Sequence, residues 1–128
     1  MPFVAAHPEA YIGQVVGEGR HRGQCVSYVR TAARLPQTSL WIEGPSVWDC
    51  EGLMSGTAIA TFDANGCYAN TTDGASHAAI FIEHADDGFW AYDQWVGHPV
   101  SRRLIQARGG AGPAADDADA YAVIEVAA

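Results

Sequence analysis

The run His77-Ala78-Ala79-Ile80-Phe81-Ile82-Glu83 is apolar at odd and even positions alike. Side chains of a strand alternate between its two faces, so this pattern can be carried only where both faces are covered. The chain must therefore supply a layer on each side of a central strand. After it, His84-Ala85-Asp86-Asp87-Gly88 reads as a hairpin turn, and Phe89-Trp90-Ala91-Tyr92-Asp93-Gln94-Trp95 as the returning strand. Further strands are predicted over Thr57–Phe62, Val100–Leu104 and Tyr121–Val126.

The covering material is sought in the N-terminal part. Residues 8–16 could form a short helix that begins at Pro8. A second helix is predicted from Cys25, because Cys25, Val26, Val29, Ala32 and Ala33 recur at helical spacing, with Gly23 before them and Leu35-Pro36 closing the run. Residues 37–56 show no sustained period and read as loop, and 105–119 read as a flexible loop. The expected architecture is α+β, in one domain over 1–128. N-terminal helices pack on an antiparallel sheet, a meander of about five strands.

Charge and composition narrow the chemistry. The net charge is −8, and all seven basic residues are arginine. A chain this acidic repels phosphate backbones and anionic membrane surfaces, which speaks against nucleic-acid binding. Without lysine there is no Schiff base, no P-loop and no Ser-x-x-Lys nucleophile. No stretch reaches the apolar length of a membrane span, and the first residues have no basic region and only a very short apolar run, so the expectation is synthesis in the cytoplasm without a signal peptide. The three cysteines are Cys25, Cys50 and Cys67. A Cys50–Cys67 disulfide would leave Cys25 free, and three reduced thiols fit the count equally well.

Cys25 at a helix start sits where unpaired N–H groups and the helix dipole favour the thiolate. A cysteine hydrolase also needs an imidazole and a polar group to orient it. His77 opens the central strand, and Asp93 or Gln94 lies on its antiparallel neighbour. A three-residue hairpin loop puts His77 opposite Trp95 with Asp93 diagonal on the same face; a four-residue loop puts it opposite Gln94. Asp93 is preferred because a carboxylate also stabilises the imidazolium. The Cys25 N–H offers half of an oxyanion hole, with the Gln24 side chain as a second donor or a cap. Trp48 and Trp95 are candidates for substrate contact. No cofactor and no metal is expected: His77 and His84 stand seven apart on one strand, on opposite faces. For the Arg102-Arg103 pair, contact with a substrate carboxylate is open, and a solvated or structurally paired role is the stronger expectation.

The blocks Gly23-Gln24-Cys25-Val26-Ser27-Tyr28-Val29, Gly56–Phe62, Ser76–Ile82 and Tyr92-Asp93-Gln94-Trp95, in that order, resemble the papain-like cell-wall amidases of the NlpC and CHAP superfamily. More closely, they resemble the compact amidase effectors delivered by type VI secretion. The resemblance implies a papain-like fold and hydrolysis of an amide in peptidoglycan stem peptides or cross-links. It assigns Cys25 as nucleophile, His77 as general base and acid, and Asp93 as the third position. It further implies secretion into the periplasm of a target cell and a cognate immunity protein. The rival readings are a non-catalytic peptide- or glycan-binding module using Trp48 and Trp95, and a papain-like protease or acyltransferase acting on protein.

Overall fold

The computed structural model describes residues 2–71 and 74–126. Among the described residues one α-helix, α1 (Cys25–Ala33), is followed by β1 (Trp41–Ser46), β2 (Ala58–Thr61), β3 (Ala78–Ala85), β4 (Gly88–Trp95), β5 (His98–Gln106) and β6 (Tyr121–Val126), with short 3-10 turns before and between them. The strands form one antiparallel sheet in the order β1-β6-β2-β3-β4-β5.

α1 forms where the apolar spacing predicts it. It ends at Arg34, which takes the left-handed conformation at φ 57° and returns its N–H to the Arg30 carbonyl. Its buried face, Val26, Val29 and Ala33, packs against Ala58, Ala60, Ala78 and Ile80, whose small or slim side chains let the helix lie close on the sheet. Each valine so buried contributes roughly 1.5–3 kcal/mol. The opposite face of the sheet carries Ile59, Ala79, Phe81, Phe89, Ala91 and Ile105, covered by Val47, Trp48 and Ala118. The apolar pattern of β3 is thus satisfied on both sides.

Three expectations about elements are corrected. Only Pro8–Tyr11 is helical, as a 3-10 turn. Gly13 donates to the Val100 carbonyl and Val100 donates to that of Gln14, so β5 takes the backbone groups a longer helix would have used. Residues 41–46, read as loop, form a sixth strand; Pro45 is tolerated because β1 is an edge, and Gly44 is required because a Cβ there would stand 2.7 Å from the Val123 carbonyl oxygen. Finally, the sheet is not a meander, since β6 inserts between β1 and β2.

The 105–119 stretch has local ties. The Asp117 carboxylate accepts from the N–H groups of Arg108, Gly110 and Asp119, and the adjoining Ala118 is wholly buried. All three cysteines are free thiols, so the alternative Cys50–Cys67 disulfide is not formed.

The β3–β4 hairpin has a two-residue turn, Asp86-Asp87, because Ala85 pairs with Gly88. Neither loop length considered from the sequence is correct. A bulge at Ile82, between the pairs Glu83↔Trp90 and Phe81↔Ala91, then shifts the frame by one residue. At the start of β3 the register is that of a three-residue loop, which brings His77 toward Trp95 and Asp93.

Candidate active site

Cys25 is the first residue of α1. The chain reaches it through Gly23, at φ +87°, whose N–H bonds the Val16 carbonyl. Gln94 then clamps the helix start onto β4. Its amide nitrogen donates to the carbonyls of Gln24 (2.7 Å) and Val16 (2.9 Å), and its amide oxygen accepts from the Val16 N–H (2.9 Å). The helix begins with no side-chain cap, so its N-terminal dipole faces the thiol directly.

His77 immediately precedes β3 and is anchored at its backbone, where its N–H donates to Thr61 Oγ1 (3.0 Å). Its side chain is 7% exposed and places Nε2 2.8 Å from Asp93 Oδ2. That leaves Nδ1 as the nitrogen to face Cys25, whose sulfur and the imidazole act on each other electrostatically. Asp93 is 0% exposed. Successive residues of β4 point to opposite faces, and this alternation separates the two candidates for the third position. Asp93 meets the imidazole; Gln94 faces the helix and makes no contact with it.

Two further polar side chains converge here. Arg103, from β5, donates to Asp93 Oδ2 through Nε (2.9 Å) and Nη2 (2.7 Å). The Tyr68 hydroxyl lies 3.5 Å from Cys25 Sγ. Its loop is shaped by Asp63, which accepts from the N–H groups of Asn65 and Cys67, and its ring packs on Trp41 with centroids 4.9 Å apart.

The electrostatics follow from this geometry. Burial by itself pushes the Cys25 thiol up, but the hydrogen bond and charge of His77, with help from Tyr68, bring it below its ordinary value. Burial likewise works against the His77 cation, and the bonds to Asp93 and Cys25 overcome it, raising the imidazole to about 9. Asp93 is held below the usual carboxylate range because His77 and Arg103 outweigh its burial. Tyr68 is pushed well up by burial and by the neighbouring sulfur, so it stays a hydroxyl donor. Both shifts run in the direction that favours a thiolate–imidazolium pair.

The pair opens into a cleft of about 720 Å³. Gln24, Trp95 and Val96 line one part of it, and Ser76, Pro113 and Asp116 another. The Gln24 side chain does not cap the helix; its amide donates to the Arg20 carbonyl (3.4 Å). Trp95 stands edge-on to His77 at 6.4 Å and is stacked on His98 at 4.0 Å. Trp48 is not part of the cleft. It packs under the opposite face of the sheet, stacked on His84 at 6.3 Å, where the 3-10 turn Val47–Asp49 places it. His84 Nε2 donates to the Cys50 carbonyl (2.9 Å), away from His77. Among the described residues no group of three His, Cys, Asp or Glu gathers as metal ligands would.

Sequence reasoning missed Tyr68 as a neighbour of the thiol, because its loop has no period to read. Arg103 was legible in part: once β4 and β5 form a hairpin it shares a face with Asp93, and its expected structural pairing is what the structure contains.

Comparison with known proteins adds three findings. The family model described as domesticated amidase effector 2 matches residues 3–124. A protein of that name from Ixodes scapularis is 38% identical over 92 residues, covering 69% of this chain and 61% of that protein, so the chain spans less than two thirds of this relative's length. A solved structure of Type 6 secretion amidase effector 2 superposes with a TM-score of 0.81 at 31% identity, over 100% of this chain and 97% of that one. The α+β, papain-like architecture is shared with it.

Proposed function

The chain belongs to the domesticated amidase effector 2 family, and on that premise we propose that it is a cysteine amidase that hydrolyses an amide bond in peptidoglycan stem peptides or their cross-links. The observation that carries this reading is the contact of His77 with Asp93 at 2.8 Å, beside a thiol that begins a helix and opens into a cleft.

In this mechanism the Cys25 thiolate attacks the amide carbonyl, and the Cys25 N–H together with the Tyr68 hydroxyl receives the developing oxyanion. His77, protonated in the resting pair, gives its proton to the departing amine. The imidazole then takes a proton from water, which attacks the thioester, and the thiolate is regenerated as the carboxylate product leaves. Asp93 keeps Nε2 engaged throughout, so that Nδ1 is always the nitrogen presented to the reaction.

As an antibacterial effector the protein would act in the periplasm of a target cell after secretion. A cognate immunity protein would silence it by filling the same cleft. Among the described residues no helix is long and apolar enough to cross a membrane.

The test is digestion of purified peptidoglycan by the wild type and by Cys25→Ala, with the released peptides identified by mass spectrometry. New amide-cleavage products are expected from the wild type alone. Equal digestion by the variant would remove the mechanism.

A further inference from the structure

We propose that Arg103 is a positioning residue of this site: its guanidinium grips one oxygen of Asp93 at two points and binds that carboxylate to the 113–116 rim of the cleft. The inference rests on the reading of Cys25, His77 and Asp93 as the reacting group.

Every nitrogen of the guanidinium is occupied. Nε and Nη2 both donate to Asp93 Oδ2, at 2.9 and 2.7 Å. Nη2 also reaches the Ala115 carbonyl (3.3 Å), and Nη1 donates to Asp116 Oδ1 (3.1 Å). The Tyr121 hydroxyl donates to the same Ala115 carbonyl (2.6 Å), so the rim is held at two places. Ala115 and Asp116 line the cleft, and so does Arg103 itself. One side chain therefore connects the group that orients the imidazole with the wall against which a substrate would lie. A lysine could supply the charge but not the planar fork.

The arrangement has a second consequence. Asp93 Oδ2 accepts from His77 and twice from Arg103, while Oδ1 is buried with no hydrogen-bond partner. Arg103 thus shares the oxygen that holds the imidazolium and offsets part of its negative charge. Loss of the guanidinium leaves Asp93 to act on His77 alone. Of the other ionisable groups, Cys25 from α1 acts on His77 and Tyr68 bonds the Cys25 sulfur; Tyr28 from α1 and Tyr121 from β6 act on Asp93 by charge alone, and Asp116 from the rim pairs with Arg103. Besides His77 itself, Arg103 is the basic group among them.

The experiment is the pH titration of the His77 ring resonances by NMR in the wild type, Arg103→Gln and Asp116→Asn, with folding checked by circular dichroism. Arg103→Gln is expected to move the His77 midpoint upward by about 0.5 pH unit or more, through removal of a neighbouring positive charge. Asp116→Asn, which removes the rim's charge on Arg103 without touching Asp93, should leave the midpoint in place. A midpoint that stays or falls in folded Arg103→Gln overturns the proposal. Arg103→Lys covers the case in which glutamine prevents folding. It keeps the charge and loses the fork, so peptidoglycan turnover should fall roughly tenfold in kcat at unchanged KM; full turnover refutes the two-point grip. The titration needs no substrate, so a wrong substrate class and a wrong role for Arg103 give different results.

Discussion

Asp93→Asn is the substitution whose outcome the geometry specifies most fully. The side chain keeps its size, and the site is fully buried, so the effect is one of charge and hydrogen bonding. If the amide oxygen stays where Oδ2 now accepts from His77 and Arg103, the NH2 group must occupy the place of Oδ1, which has no hydrogen-bond partner. If the amide turns over, NH2 faces donors instead. The first orientation is the less costly. It loses the ionic part of the contacts to Arg103 and His77 and leaves a buried donor unsatisfied, itself worth about 1–3 kcal/mol. Breaking one partner of a buried ion pair costs about 3–5 kcal/mol in all; the lower end is expected here because Arg103 keeps its bond to the half-exposed Asp116. Without the carboxylate, only Cys25 still opposes burial at His77, and its proton affinity drops from about 9 toward its ordinary value. Turnover should fall by about 10³–10⁴, as when the acidic member of a triad is replaced by its amide. Thermal unfolding and the pH dependence of Cys25 alkylation, read at Cys25 by peptide mapping, measure the two effects. A variant that melts within 2 °C of the wild type (roughly 0.5 kcal/mol) and keeps the wild-type alkylation profile would refute the reasoning.

Tyr68→Phe should lower kcat by about 10²-fold, in the range for loss of one oxyanion donor, with KM and melting temperature nearly unchanged; steady-state kinetics on peptidoglycan fragments checks it. Gln94→Leu removes three hydrogen bonds at the helix start, two of them buried, and should cost about 2–4 kcal/mol in urea unfolding. The titration midpoint of His77 should not move, which distinguishes Gln94 from Asp93. Stability should also depend on pH at both ends. Asp93 has a depressed folded pKa, so its contribution is present above the unfolded value near 4 and is lost as pH falls through the lower folded one. His77 has a raised pKa, so its contribution is full below about 6.5 and is lost as pH rises through about 9. Urea midpoints measured from pH 3 to 10 should fall at both ends, and Asp93→Asn should flatten both limbs.

The parts legible in the sequence are those that depend on local pattern. The Cys25 helix, the twofold-covered β3 and the strand bearing Asp93 each announce themselves through spacing and flanking breakers. What was illegible depends on how distant segments meet. The hairpin register at His77 is set by a two-residue turn and a compensating bulge at Ile82, and an isoleucine in an apolar run gives no sign of being the unpaired residue. β1 escaped because Gly44 and Pro45 normally argue against a strand, and they are permitted here by an edge position that only the pairing of β6 creates. Trp48 is a candidate for substrate contact by residue type alone, whereas the turn that carries it leads to the other side of the sheet. Tyr68 reaches Cys25 across 43 residues from a loop with no period at all.

β6 makes assembly of this sheet a matter of closure rather than growth. β1 has no other sheet partner, and on its side away from β3 the start of β2 bonds only the Phe3–Ala5 segment, so the slot between β1 and β2 stays open until Tyr121–Val126 enters it. Such a contact joins Trp41 to Val126 and must meet the entropy of a long loop before it returns any stabilisation. While the slot is open, two strands present unpaired amides side by side, the arrangement that invites pairing with another chain. The six residues of β6 act as a keystone: a chain that failed to seat them would be prone to self-association rather than merely less stable.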